Sequence, residues 1–520
     1  MTNETDVADI KFSQRFSANL VTNIVYTVCN ALIGVLLVPY YLETIGNLAY
    51  GIIPVATSFI SYVVLVMSAL NVSIGRYLTF DLRASDVNKA NQTFNTALFV
   101  LVIIVAILTP LAILLSLSAP SLFNTLGLST VDVTGLFLGI SLATLLTVLG
   151  GGITQTLFAK NLFYVRNTLL LSQVFLQVVF IVVFFNLFQP SLLLVGIAYL
   201  LAALIYVVFS LVSLHVFSKE FTISRRYVSK DRFKDLLSMT LWTLVQNAGM
   251  LLRFNIGILV VNIVCGLLAG TYYSIIVSFY SLLIAAVAML TSLFGPLVFS
   301  YVSKNDFTGL KNFYYIALKV TCLTSALLLG IIFVYAPEIL RLWVGEQYVM
   351  LAPLVYLSVI PVYFYAPINF VSTALVANLR HKQYGIIYCL FGVFMIPLSI
   401  ILTILFGISG VLIAGIIISV LCDFIVMVFY ASRLIRDNTL RLYANYIYGI
   451  FLTPIIVIIG YLVKHVFLGD TIISLILGCL SITIITIPIV LFIFLRKSER
   501  KLIRPCLPKF IQLIIPKWIL

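Results

Sequence analysis

The 520-residue chain is 62% apolar and only 9% charged, with a formal net charge of +14 and a mean hydropathy of +1.18. Soluble domains use roughly 45–50% apolar and about 25% charged residues, so a water-soluble core of this composition would lack the polar side chains to cover it. Soluble enzymes and nucleic-acid binders are excluded, and the chain reads as an all-α polytopic membrane protein.

Apolar runs broken by short polar or Gly/Pro clusters predict fourteen spans, each near the roughly 20 residues that a bilayer requires. In chain order they are 17–42, 50–75, 92–117, 133–158, 164–187, 191–216, 238–264, 270–301, 312–335, 350–378, 384–405, 409–432, 443–463 and 471–495. With residue 1 placed in the cytoplasm, 28 of the 31 Lys and Arg residues fall in cytoplasmic segments. Arg341 and Lys464 fall on the other face and Arg253 alone lies deep in a span. This asymmetry predicts both termini inside a plasma (cytoplasmic) membrane, and it explains most of the positive charge as an orientation signal. The basic tail over 496–520, with apolar residues between its charges, is expected on the inner membrane surface. The seven cysteines fall singly, so neither a zinc site nor a disulfide framework is expected. The N-terminus shows no basic, apolar and small-residue sequence of a cleaved signal.

The segment 218–235 carries six basic residues between spans 6 and 7 and reads as a linker. Around it the chain repeats weakly. Ile33-Gly34-Val35-Leu36-Leu37-Val38 in span 1 matches Ile256-Gly257-Ile258-Leu259-Val260-Val261 in span 7, and Gly75 in span 2 matches Gly295 in span 8. Six spans in each half, both starting on one side, predict parallel repeats with a substrate site between them. The expected organisation is a six-helix lobe over 1–216, a basic linker over 217–236, a second six-helix lobe over 237–433, and helices 13 and 14 with the tail over 434–520.

The 6 + 6 + 2 layout, the basic linker and a Gly-Pro-x-x-x-Ser segment with a polar turn (Gly295 to Ser300, then Lys304-Asn305-Asp306 and Leu310-Lys311) resemble the polysaccharide flippases of the MOP superfamily. The turn from Gly75-Arg76 through Asp81, Asp86 and Lys89 to Phe94 is similar to that family's helix 2–3 turn. The resemblance is closest to O-antigen flippases, relatives of the lipid II flippase and of the MATE transporters. It implies alternating-access flipping of undecaprenyl-diphosphate-linked sugars, with the tail in a groove flanked by helices 13 and 14. Membrane lipid and the glycosyltransferases or polymerase of the same pathway are the other expected partners, and no nucleic acid.

A cation at bilayer depth costs about 2.5 kcal/mol or more, so Arg253 is expected to face protein or water. At 100° per residue, Thr243, Gln246 and Arg253 share one polar stripe about 80° wide on span 7, and Asn19, Asn23, Tyr26 and Asn30 share another about 60° wide on span 1. The repeat sets Asn23 against Gln246 and Asn30 against Arg253. Such stripes either line one cavity, where Arg takes phosphate oxygens and the amides take sugar hydroxyls, or bond helix to helix. Arg76, near the cytoplasmic end of span 2, is either on an entering head group's route or a snorkelling boundary residue. Asp423 is the only acid at depth; it pairs with a cation, stays neutral, or exchanges H⁺ or Na⁺. Pro353, Pro361 and Pro367 bend span 10, and Gly150-Gly151-Gly152, Gln155, Gln173 and Gln177 fit close helix packing.

No paired carboxylates at depth, metal cluster or G-x-x-x-x-G-K-[ST] sequence is present, so no cofactor, no metal and no catalytic residue are expected. Two alternatives to the flippase remain. A MATE-type cation-coupled exporter should carry carboxylates in its chamber, often in the first span, and span 1 has none. A membrane-embedded polymerase or glycosyltransferase should have a large extracytoplasmic loop, whereas the longest here run to roughly 15 residues.

Overall fold

The computed structural model describes residues 3–123, 125, 127–292, 298, 301, 306–377, 381–435 and 437–494. Gly295, Pro296 and Ser300 of the Gly-Pro motif, the polar residues Lys304 and Asn305, and the tail at 496–520 lie outside them. Among the described residues there is no strand. The helices are α1 (Asn3–Thr44), α2 (Gly46–Val63), α3 (Leu65–Arg83), α4 (Val87–Leu122), α5 (Thr130–Ala159), α6 (Phe163–Leu187), α7 (Leu192–Phe217), α8 (Lys230–Cys265) and α9 (Leu267–Ser292). They continue as α10 (Phe307–Trp343), α11 (Ala352–Ala377), α12 (His381–Phe406), α13 (Ile408–Ile418), a π-helical stretch over Ser419–Met427, α14 (Val428–Leu434), α15 (Thr439–Ile450), α16 (Leu452–Lys464) and α17 (Ile472–Phe494).

Among the described residues twelve helices are long and apolar enough to cross a membrane, counting Ile408–Arg433 and Thr439–Lys464 as one each. The bent pair α2 and α3 makes a thirteenth, and a shorter apolar stretch of α17, Ile472–Pro488, lies where the fourteenth span is expected. This is a multi-pass, all-α membrane protein. Span 2 is not straight: α2 and α3 meet at Val64 with a 59° bend. On either side of it the Ser61 hydroxyl donates to the Thr57 carbonyl and that of Ser68 to Leu65, back-bonding that bends helices.

The chain forms two compact units, one of Met1–Ser274 with Gly385–Gly407, the other of Ile275–Tyr384 with Ile408–Leu520. In the first, α5 and α7 approach to backbone contact. A Cβ on Gly139 would lie 2.3 Å from the Gly196 carbonyl oxygen, and one on Gly196 would lie 2.5 Å from that of Gly135. Close approach of this kind replaces a hydrophobic driving force that lipid cannot supply. Further along, Gly150 seats the Tyr206 ring, Gln155 packs on Gly75, and Gln173 donates to Thr147 at 2.6 Å. In the second unit α10 is central: Gly330 takes Ile456, Gly460 takes Val334, and the Tyr335 hydroxyl donates to the Phe467 carbonyl at 2.7 Å.

One turn occurs twice. Asp86 caps α4 by accepting the Lys89 N–H at 2.9 Å, and Asp306 caps α10 by accepting that of Gly309 at 2.8 Å. The capping residues share a backbone conformation, φ −97° ψ 79° and φ −85° ψ 79°. Each donates its own N–H five residues back, Asp86 to Asp81 and Asp306 to Tyr301. The two turns stand 220 residues apart (86 and 306), the same spacing as Gly75 and Gly295.

The linker is bound rather than free. Asn91 donates to the Glu220 carbonyl at 2.8 Å and accepts the Thr222 N–H at 3.0 Å. Asn95 donates to the Thr222 carbonyl at 2.8 Å and accepts the Ser224 N–H at 2.7 Å, and Thr96 accepts that of Ser229. Beside them Arg232 reaches Asp81 at 2.8 Å, and the other Asp81 oxygen accepts from Thr93. Lys160 pairs with Glu220 at 2.8 Å and donates to the Phe217 carbonyl.

Candidate functional site

Arg253 lies in the apolar part of α8 and is only 6% exposed. Its guanidinium carbon stands 5.1 Å from the Phe254 ring centroid and 5.5 Å from that of Tyr388 on α12, so aromatic faces meet the charge. The contact exists because Gly249 and Gly392 let α8 and α12 touch through their backbones. A Cβ on Gly249 would lie 2.4 Å from the Tyr388 carbonyl carbon, and one on Gly392 would lie 2.5 Å from the Gly249 oxygen. Gln246, one helical repeat before Arg253, is half-buried beside Gly385 on the same neighbour. Thr243 spends its hydroxyl on the Met239 carbonyl of its own helix. The α8 stripe therefore runs along α12, with Arg253 inside protein.

The α1 stripe is divided. Asn19 is buried and tied to the connection between α5 and α6, donating to the Asn161 carbonyl at 3.0 Å and accepting the Tyr164 N–H at 2.9 Å. Tyr26 is half-buried, whereas Asn23 and Asn30 are exposed. Val21, Val25, Val28, Leu32 and Leu36 are exposed as well, on the nearly opposite side of the wheel. Helix α1 thus shows an apolar face and an amide face on opposite sides. Amides facing hydrocarbon would be costly, so the second face belongs against water or a polar ligand.

Arg76 is exposed near the end of α3, on a ridge with exposed Val72 and Phe80, and its side chain makes no hydrogen bond or ion pair among the described residues. Asp423 belongs to the second unit, fully buried at the centre of the π-helical stretch Ser419–Met427 and within electrostatic reach of Tyr446. A π-helix is rare and is found chiefly as a local bulge at functional positions. No sequence pattern announced it.

Three further features escaped the sequence reading. Arg341 and Lys464, the two basic residues expected on the face opposite the rest, are both neutralised, Arg341 by Glu346 and Lys464 by Glu338 at 2.7 Å. An apolar groove of about 400 Å³ opens in the second unit, with Leu329 and Phe333 from α10, Ile360 and Phe364 from α11, and Thr453 and Val457 from α16 among its walls. Arg166 stands in the first turn of α6 with its guanidinium carbon 5.9 Å from the Phe158 ring. Among the described residues no group of three or more His, Cys, Asp or Glu side chains could hold a metal ion.

No family model matches the chain. It is 26% identical over 438 residues to the "Uncharacterized membrane protein EpsK" of Bacillus subtilis (strain 168), covering 82% of this chain and 84% of that one. Among solved structures it is similar to the lipid II flippase MurJ in an inward closed conformation, with a TM-score of 0.65 and 15% identity over 89% of this chain and 97% of that one. It is also similar to a multidrug resistance MATE family transporter of the MOP superfamily, inward-facing, with a TM-score of 0.64 and 14% identity, covering 81% and 97%. A MOP superfamily transporter from Pyrococcus furiosus, described with a binding pocket of reverse polarity, gives a TM-score of 0.57 at 14% identity over 82% and 96%. The fold is therefore the one these transporters share.

Proposed function

We propose that this protein flips a polyprenyl-(di)phosphate-linked oligosaccharide from the inner to the outer leaflet by alternating access, in the synthesis of a cell-surface polysaccharide or glycan. The observation that carries the reading is Arg253, a guanidinium buried in the apolar part of a membrane helix. A cation held there at a cost of about 2.5 kcal/mol or more is justified by a negatively charged passenger. The fork of a guanidinium suits phosphate oxygens, and the exposed amides Asn23 and Asn30 suit sugar hydroxyls. In this reading Gln246 on α8 and Tyr26 on α1 share the binding role, with Arg76 meeting the head group as it enters. Asn19, bonded to the α5–α6 connection, holds the α1 stripe in position, and Thr243 bonds within its own helix. The apolar groove between α10, α11 and α16 suits part of a prenyl tail.

Asp423 is the candidate for coupling to H⁺ or Na⁺, and the reading needs no other cofactor. The protein sits in the plasma membrane with both termini in the cytoplasm and works beside the glycosyltransferases or polymerase of its pathway. A cation exporter fits the fold equally well but not the charge: the deep cation of the first unit would repel its cargo. The MOP superfamily transporter with a reverse-polarity pocket supports treating pocket charge as variable on this fold. A polymerase fits less well, because α4 and α5 are joined by residues 123–129 alone, too few to hold donor and acceptor.

Proteoliposomes containing the full chain test the choice. The reading predicts translocation of a lipid-linked oligosaccharide and no accumulation of an organic cation such as ethidium. Cation accumulation without lipid translocation would overturn it. In cells, deletion should accumulate unflipped lipid-linked units, whereas normal translocation with failed chain extension would identify an enzyme.

A further inference from the structure

The linker between α7 and α8 is fixed along its backbone and pairs most of its acids internally, which leaves its cations bare. Glu220 is taken by Lys160, and Asp235 shares Arg232 with Asp81. What remains between 219 and 235 is Lys219, Arg225, Arg226, Lys230 and Lys234 against one acid, Asp231. All six are exposed, and none of the five cations makes a side-chain hydrogen bond or an ion pair among the described residues. The path that presents them is rigid. Phe221 is buried against Phe94 of α4, with ring centroids 5.4 Å apart. Asn95 accepts the Ser224 N–H at 2.7 Å and Thr96 accepts that of Ser229 at 2.9 Å. These bonds hold both ends of the stretch whose single 3-10 turn, Arg225–Tyr227, carries the two arginines.

The flanking helices set the level of this surface. Helix α7 enters the linker with Val212, Val216 and Phe217 exposed, and on α4 exposed Phe99, Val102 and Ile103 begin one turn beyond Thr96. Exposed apolar side chains on membrane-length helices face acyl chains, so the linker crosses α4 where that surface ends, at the depth of the head groups. Ile223, Val228 and Phe233 are exposed among the cations, and basic residues with apolar ones between them are the pattern of an interfacial segment. An orientation signal needs only charge near a span end. It does not need a path fixed from Glu220 to Ser229.

We infer that the linker forms a docking surface for anionic phospholipid head groups, with Arg225 and Arg226 at its centre. Phosphate oxygens suit the two guanidinium forks, Ile223 and Val228 enter the acyl boundary beside them, and each Lys or Arg near such a surface contributes about fivefold in affinity. The surface is independent of what the protein carries, so its test reads lipid contact rather than transport.

Hydrogen exchange of the full chain is compared in nanodiscs of phosphatidylcholine and in nanodiscs with half of it replaced by phosphatidylglycerol. The anionic lipid should slow exchange over 225–228 at least threefold, and salt at about 1 M, which screens charge beyond about 3 Å, should reverse the slowing. Arg225→Gln with Arg226→Gln should abolish it in a protein whose exchange elsewhere is unchanged. Arg433→Gln, which removes an exposed cation of the second unit, should leave it intact. Equal exchange of the wild type in the two lipids overturns the inference and leaves the surface to a soluble acidic partner. Slowing that persists in the double variant or at high salt overturns it as well, and slowing lost equally in Arg433→Gln overturns it by showing an effect of net charge alone.

Discussion

The turns capped by Asp86 and Asp306 share a cap and a backbone path, yet the helices they open grip different later segments, that after α7 and that after α14, by different chemistry. On α4 the positions after the cap are Asn91 and Asn95, and they hold linker backbone at Glu220, Thr222 and Ser224. On α10 the equivalent positions, again 220 residues on, are Lys311 and Tyr315. They hold the Asp437 carboxylate at 3.0 and 2.6 Å, and Arg441 stacks over Tyr315 at 5.2 Å. Neutral amides on backbone fix a path whatever the linker's side chains, and they are indifferent to pH. A carboxylate held by a cation and a phenol is specific to one residue and fails when that residue is protonated. The same architectural need, to anchor the chain that follows α7 and the chain that follows α14, is thus met by a permanent grip at one turn and a titratable one at the other.

The sharpest way to break the comparison is in the first copy, where Asp81 stands at the position of Tyr301 and is paired with Arg232. Arg232→Ala leaves a nearly buried carboxylate without its cation, at a cost of about 3–5 kcal/mol. Chemical denaturation of the purified protein should show that loss, and the double change Asp81→Asn with Arg232→Met should recover part of it. Next in size, Asn95→Ala strands both a backbone donor and a backbone acceptor, at about 1–3 kcal/mol. Hydrogen exchange should accelerate at 222–224 without a change at 437–441. In the second copy Lys311→Ala should cost only about 1 kcal/mol, and less at high salt.

The smallest effect separates the copies by pH. Burial opposes ionisation of Asp437, but hydrogen bonds from Tyr315, the Asn438 N–H and Lys311 outweigh it and bring its pKa down from the ordinary 3.8 to about 2. A lowered carboxylate pKa stabilises the fold fully above the unfolded value and loses that contribution as pH falls from about 4 toward 2. Hydrogen exchange at 437–441 should therefore rise over this interval while 222–224 stays protected, and Asp437→Asn should abolish the dependence.

The spans were legible because about twenty apolar residues in a row admit little else, and the repeat because Gly75 and Gly295 fall at the spacing that the two capping aspartates share. The bend at Val64 was not, since Tyr62-Val63-Val64-Leu65 carries neither Gly nor Pro and its hydroxyl back-bonds depend on rotamers. A helical wheel put Asn19 with Asn23 and Asn30, but it cannot see the α5–α6 connection that claims Asn19. Arg166 was hidden by its place in a first turn, where a basic residue ordinarily points to water. A wheel is also blind to which face a neighbouring helix covers: Arg253 is covered by α12 because Gly249 and Gly392 allow it, while Asn23 and Asn30 stay open.

The central claim is that the Arg253 guanidinium serves a negatively charged passenger, and translocation of a lipid-linked oligosaccharide in proteoliposomes tests it most directly. Arg253→Ala should abolish translocation in a protein that remains folded and monodisperse, and Arg253→Lys should restore it only in part, because an ammonium lacks the bidentate fork. Wild-type rates in a well-folded Arg253→Ala protein would contradict the account.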